Sequence, residues 1–149
     1  MMRRNSGFSL TELMVVIAII GLTAAIATPN MIDWLSRRKQ STSARDVLST
    51  MEFARAIAIR RNGTATVTIV GNNVVTVQLT ANGSTTQQRR TQLAAGVRLV
   101  QPASGALGTS FSFNNQGIPS ATGDLLVRDG KHADKSIQVR TGGNVRIIG

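Results

Sequence analysis

One stretch limits what this chain can become: Phe8 to Thr28 carries a single charge, Glu12. Wound as a helix, that stretch is about 31 Å long, roughly the hydrocarbon thickness of a bilayer. In lipid, a single pass can satisfy its own backbone groups only as a helix. The segment therefore reads as a membrane-embedded helix, with Glu12 as its expensive exception. If it leaves for a membrane, roughly 85–90 residues remain for a water-soluble core, a length at which small domains fold alone. Aromatic residues are 3% of the chain, so that core must be built mainly from Val, Ile, Leu and Ala.

The residues before the apolar run are Met-Met-Arg-Arg-Asn-Ser-Gly, short and basic. An ordinary secretory signal would end in a small-residue cleavage site, and Ala24 to Ala27 could imitate one. The apolar run is long for that, and a helical pattern continues beyond it. Cleavage after Gly7 would instead create an α-amine on Phe8, four residues or about one helical turn before Glu12. Glu12 would also sit in the first turn, where the helix dipole favours a carboxylate.

The sequence Gly7-Phe8-Ser9-Leu10-Thr11-Glu12-Leu13-Met14-Val15-Val16-Ile17 resembles the prepilin signature of type IV pilins and type II secretion pseudopilins. The resemblance implies cleavage between Gly7 and Phe8 by prepilin peptidase, N-methylation of Phe8, and pairing of Glu12 with the N-terminal amine of a neighbouring subunit during assembly. Pro29 matches a family proline that bends the stalk helix, and its missing donor and ring clash favour a kink on physical grounds too. The implied organisation is a leader over 1–7, a transmembrane and filament-core half-helix over 8–29, an amphipathic half over 30–62 and a β-rich head over 63–149. Arg3 and Arg4 nearly balance Arg37, Arg38 and Lys39 across the span, so the positive-inside rule alone sets no orientation. The resemblance places the leader in the cytoplasm of a bacterium, the anchor in the inner membrane and the head in the periplasm, before transfer to a pilus or pseudopilus.

After Pro29 no Gly or Pro occurs until Gly63. Ala44, Val47, Leu48, Met51, Ala54 and Ala58 recur at spacings of three and four, the signature of a helix with one apolar face. Arg60, Arg61 and Gly63 give a C-terminal signal; from Phe8 to Arg61 the helix would be about 80 Å long. Trp34 is placed to anchor at a membrane interface, with subunit packing in a filament as the alternative.

From Thr64 the period changes to two, through Val70, with a turn at Gly71-Asn72 and a return strand over Val74–Leu79. Asn82-Gly83 marks another turn. Shorter strands are expected at Val97–Val100, Ser110–Phe113, Leu125–Arg128, Ser136–Arg140 and Val145–Ile148. An antiparallel sheet covered by the apolar helix face gives an α+β head. Pro102 to Thr109 reads as a mobile loop, and Gly123 to Lys135, with mixed charge, as an exposed segment.

Ser112-Phe113-Asn114-Asn115-Gln116-Gly117, followed by Ile137 to Arg146, is similar to the GspH/FimT branch of the pilin superfamily. That resemblance implies either a minor pilin of the FimT kind, some of which bind DNA during natural transformation, or a GspH-type minor pseudopilin of type II secretion. In the DNA-binding members the last hairpin reads Gly-Arg-x-Arg. Gly143 and Arg146 match its glycine and final arginine, while Asn144 replaces its first arginine. Arg140, Arg128, Lys131 and Lys135 could add phosphate contacts. The formal charge of +10 favours a polyanionic partner.

No catalytic constellation emerges. The chain has no cysteine, which excludes disulfides and thiolate metal sites. His132 is the only histidine and lies among charged loop residues. Asp124, Asp129 and Asp134 recur every five residues, without the closer ligands and terminal Glu of a calcium loop. The reading is a structural subunit without cofactor or metal, not an enzyme, whose partners are other pilin subunits, prepilin peptidase, the inner membrane and, for the basic head, DNA.

Overall fold

Ser9 caps the longest element, α1 (Leu10–Arg60). Its hydroxyl accepts a hydrogen bond from the Glu12 N–H at 3.2 Å, and its carbonyl accepts from the Leu13 N–H at 3.2 Å. Ser9 and Glu12 have the spacing of a capping box, in which the serine satisfies a backbone donor that the helix cannot. The structure, a computed structural model, describes residues 8–148. At the other end of α1 the left-handed residue is Asn62, with φ 48°, rather than the expected Gly63. Asn62 N–H donates to Ile59 and Gly63 N–H to Ala58, the two bonds of a Schellman cap. Gly63 has a different reason to be glycine: a Cβ there would lie 2.6 Å from the Thr80 carbonyl oxygen.

The chain forms two units, one ending at Ser36 and one, the head, spanning Arg37–Gly149. In the first unit, every side chain described from Phe8 to Ile32 is exposed. The hydroxyls of Thr23 and Thr28 donate to carbonyls one turn back, Ile19 and Ala24. That satisfies both threonine hydroxyl hydrogens within the helix. It is the one helix among the described residues long and apolar enough to cross a membrane.

In the head, α1 buries Ala44, Val47, Met51, Ala54, Ile57 and Ala58. These residues join the strands' inward side chains in one core, with Val47 and Met51 fully buried in it. Two antiparallel four-stranded sheets share this core. Sheet A has the order β3-β2-β1-β5, with β1 (Thr64–Val70), β2 (Val74–Ala81), β3 (Ser84–Gln92) and β5 (Ser110–Phe113). Sheet B has the order β4-β6-β7-β8, with β4 (Arg98–Val100), β6 (Gly123–Arg128), β7 (Lys135–Val139) and β8 (Val145–Ile148). In sheet B the odd-numbered residues Leu125, Val127, Ile137, Val139 and Val145 point into the core. The even-numbered residues face the other way, because side chains alternate along a strand.

The head departs from the sequence reading in three further places. β3 was not expected, because Ser84 to Gln92 contains no apolar residue. As an edge strand it needs no buried face; pairing with β2 is enough, with a register shift between Val77 and Gln78. The loop expected to be mobile, Pro102 to Thr109, is fastened instead. Leu107 is buried and its N–H donates to Asp124, while the Gln101 side chain bonds both backbone groups of Gly108. The segment expected to be exposed, Gly123 to Lys135, opens with β6, whose Leu125 and Val127 are fully buried. The strand itself is the one expected at Leu125–Arg128; the charges of Asp124 and Arg128 on its other face are what made the segment read as exposed.

Candidate functional site

The N-terminal candidates lie at the start of α1. Gly7 is outside the described residues, so the expected scissile bond has only its Phe8 side in view. Phe8 is 83% exposed, and Glu12 is exposed beside the Ser9 cap. Glu12 thus occupies the third helical position, where its charge complements the helix dipole. Pro29 lies within α1.

The basic candidates of the head divide between two places. Arg128, Arg140 and Arg146 belong to the solvent side of sheet B. Gln138 joins the last two: its Oε1 accepts from Arg140 Nη2 at 2.5 Å and from Arg146 Nη2 at 3.4 Å. Its amide nitrogen donates to Asp124 Oδ2 at 3.2 Å. Asp124, Gln138 and Arg146 are register neighbours across β6, β7 and β8, which explains the chain of contacts. One amide side chain therefore holds two guanidinium groups side by side on an exposed strand pair.

Arg98 was absent from the sequence-based set. It lies directly opposite Arg128 in the β4–β6 register, about 14 Å along the strands from the Gln138 row. Nothing local in the sequence announces it, since the pairing joins residues far apart in the chain. Arg128 itself is committed to Asp134, with Nη2 to Oδ2 at 2.6 Å and Nε to Oδ1 at 2.9 Å. This hydrogen-bonded pair holds the Asp134 carboxyl below its ordinary value of 3.8, with the charge of Arg128 adding to the effect and partial burial opposing it. A carboxyl depressed in the folded state stabilises above the unfolded value, and that contribution is lost as pH falls below it. Acid titration of the head is therefore expected to show a drop in melting temperature below pH 3.8 that is shallower in Asp134→Asn. The difference should be small, because the pair is partly exposed.

Gly143 is buried in the turn joining β7 to β8. Its N–H donates to Arg140 at 2.8 Å, closing the turn, and its φ is 75°. The turn rests on Arg55 of α1, whose Nη2 donates to the Gly142 carbonyl at 3.2 Å. A glycine at 143 is thus required by packing and backbone conformation. Lys131 and Lys135 lie elsewhere, beside Arg37 and Gln40 of α1, on the walls of a groove.

His132 is accounted for by Asp129, whose Oδ2 lies 2.5 Å from its Nδ1. No group of three or more metal-ligating side chains occurs among the described residues. The arrangement offers an apolar helix for burial against lipid or other helices, and arginines for anions.

Comparison with known proteins matches two segments of the chain to family models. Residues 2–28 match the prokaryotic N-terminal methylation motif, and residues 43–143 match the family model of type II transport protein GspH. The type IV major alpha-pilin of Moraxella bovis is 34% identical over 122 residues, covering 81% of this chain and 70% of that pilin. The chain spans from 17% to 70% of the length of the curated relatives it matches. Two solved structures share the fold. The type IV minor pilin FimU of Pseudomonas aeruginosa superposes with a TM-score of 0.64 at 12% identity, over 78% of this chain and 92% of that one. The minor pseudopilin EpsH from the type 2 secretion system of Vibrio cholerae gives 0.60 at 13% identity, over 74% and 95%.

Proposed function

From the premise that the chain belongs to the GspH family of pilin-like subunits, we propose that it is a minor pilin whose head captures DNA. The observation that carries the structural half is the stretch from Phe8 to Ile32, apolar with one charge and exposed along its described length. Such a helix needs lipid before assembly and neighbouring helices after it. In this reading prepilin peptidase cuts between Gly7 and Phe8, Phe8 is methylated, the head waits in the periplasm, and Glu12 pairs with the amine of an adjacent subunit. Pro29 bends the stalk where it leaves the filament core.

The solvent side of sheet B supports the DNA half. Arg140 and Arg146, aligned by Gln138, and Arg98 offer guanidinium groups to a phosphate backbone, while Arg128 contributes less because Asp134 already neutralises it. Each phosphate contact made by a cation releases counterions and steepens the salt dependence of binding. The test is titration of the head, from Arg37 onward, with duplex DNA at several salt concentrations. Arg140→Gln/Arg146→Gln is expected to reduce the slope of log affinity against log salt by about 2. Absence of salt-dependent binding, or equal binding by the variant, would defeat the DNA reading. The second reading, a minor pseudopilin of type II secretion, draws on the EpsH likeness and would then stand in its place.

A further inference from the structure

A groove lies beside the start of the head. It measures about 550 Å³ and is lined by Arg37, Gln40 and Ser41 of α1 and by the 131–135 segment between β6 and β7. We propose that this groove binds the phosphate of an anionic phospholipid headgroup, with Lys131 and Lys135 as its principal cationic contacts. The proposal rests on the reading of α1 as a membrane anchor.

Three features carry it. The first is charge: Arg37, Lys131 and Lys135 line the groove, and its one carboxylate, Asp134, is bonded by Arg128 at 2.6 Å. Neither lysine forms an ion pair among the described residues. The second is a wall set before any ligand arrives. Gln40 is 2% exposed, and its amide donates to the carbonyls of Val127 and Ala133, each at 2.9 Å. Asp129 accepts from the backbone N–H groups of Lys131 and His132, each at 2.9 Å. Holding the loop this way lowers the ordering cost of binding.

The third feature is position. Trp34 and Leu35, both exposed, precede Arg37 by three and two residues. Ile32, which ends the apolar stretch, lies five residues before Arg37, a separation the chain limits to about 18 Å. Chain connectivity thus keeps this wall of the groove near the end of the embedded stretch, and lipid phosphates are the anions concentrated there. DNA is the poorer fit. Lys135 alternates in phase with the inward residues Ile137 and Val139, away from the side that carries Arg140 and Arg146.

The experiment reconstitutes the full chain into phosphatidylcholine bilayers doped with phosphatidylglycerol and counts the lipids retained on release by native mass spectrometry. Selective retention of phosphatidylglycerol is expected, with Lys131→Gln/Lys135→Gln reducing it about 30-fold. Equal retention of the two lipids, or an undiminished variant, would overturn the proposal. So would displacement by millimolar inorganic phosphate, which marks a free-anion site, or by duplex DNA, which marks a nucleic-acid site. Insertion into pure phosphatidylcholine is scored in parallel. Insertion without headgroup preference sinks the groove alone, whereas failure to insert sinks the anchor and the groove with it.

Discussion

Gly143→Ala is expected to cost the head about 3 kcal/mol or more, lowering its melting temperature by roughly 10–20 °C. Two effects add. At φ 75° an L-residue is strained by about 1–2 kcal/mol. The new methyl would also overlap the Gly117 carbonyl oxygen and stand 2.9 Å from Arg55 Nε. Neither neighbour can retreat easily. The turn from Asn114 to Gly117 is closed by its own hydrogen bonds, and Arg55 is pinned by the Gly142 carbonyl. Gly117 has the same constraint from the other side, since a Cβ there would lie 2.8 Å from Ile59 Cδ1 and 3.0 Å from Arg55 Nε. Two glycines therefore let two turns close over one arginine. Gly130→Ala supplies the control for strain alone, because its φ is 80° but nothing lies within 4 Å of the added carbon. Gly142→Ala lacks both effects and should be nearly silent in melting experiments. If Gly143→Ala costs no more than Gly130→Ala, the steric account is wrong.

That result bears on what the sequence could reveal. Gly143 drew notice because it matches a glycine in the hairpin of DNA-binding relatives, yet its environment demands glycine whether or not DNA binds. The helical stripe through Val47 and Met51, and the paired strands β1 and β2, were legible because their apolar periods report burial directly. β3 was illegible for the opposite reason: an edge strand with no buried face leaves no period. The alignment of Arg140 and Arg146 by Gln138, the opposition of Arg98 to Arg128, and the hold of Gln40 on the 131–135 segment are products of long-range register. Charge count suggested a basic head. Only the sheet order separates its cations into an arginine face and a lysine groove.

Glu12→Gln is expected to reduce incorporation into filaments about 100-fold while leaving the subunit in the membrane. An ionised carboxylate in an apolar setting costs a few kcal/mol without a partner. In the proposed assembly, pairing with a neighbour's amine would offset that cost, and removing one member of such a pair would strand the other. Glutamine is the informative replacement because it retains the shape of the third position in a capping box and removes only the charge. Loss of incorporation then cannot be blamed on fraying of α1. Ser9→Ala provides the converse, since it removes the bond to the Glu12 N–H at a cost of about 1 kcal/mol to the helix and leaves the carboxylate in place. The readout is the ratio of subunit in sheared filaments to subunit in the membrane fraction, measured for both variants. Low incorporation for Glu12→Gln with near-normal incorporation for Ser9→Ala assigns Glu12 to subunit pairing. The reverse pattern would make Glu12 a capping residue and leave axial register to be set by the exposed apolar face of α1.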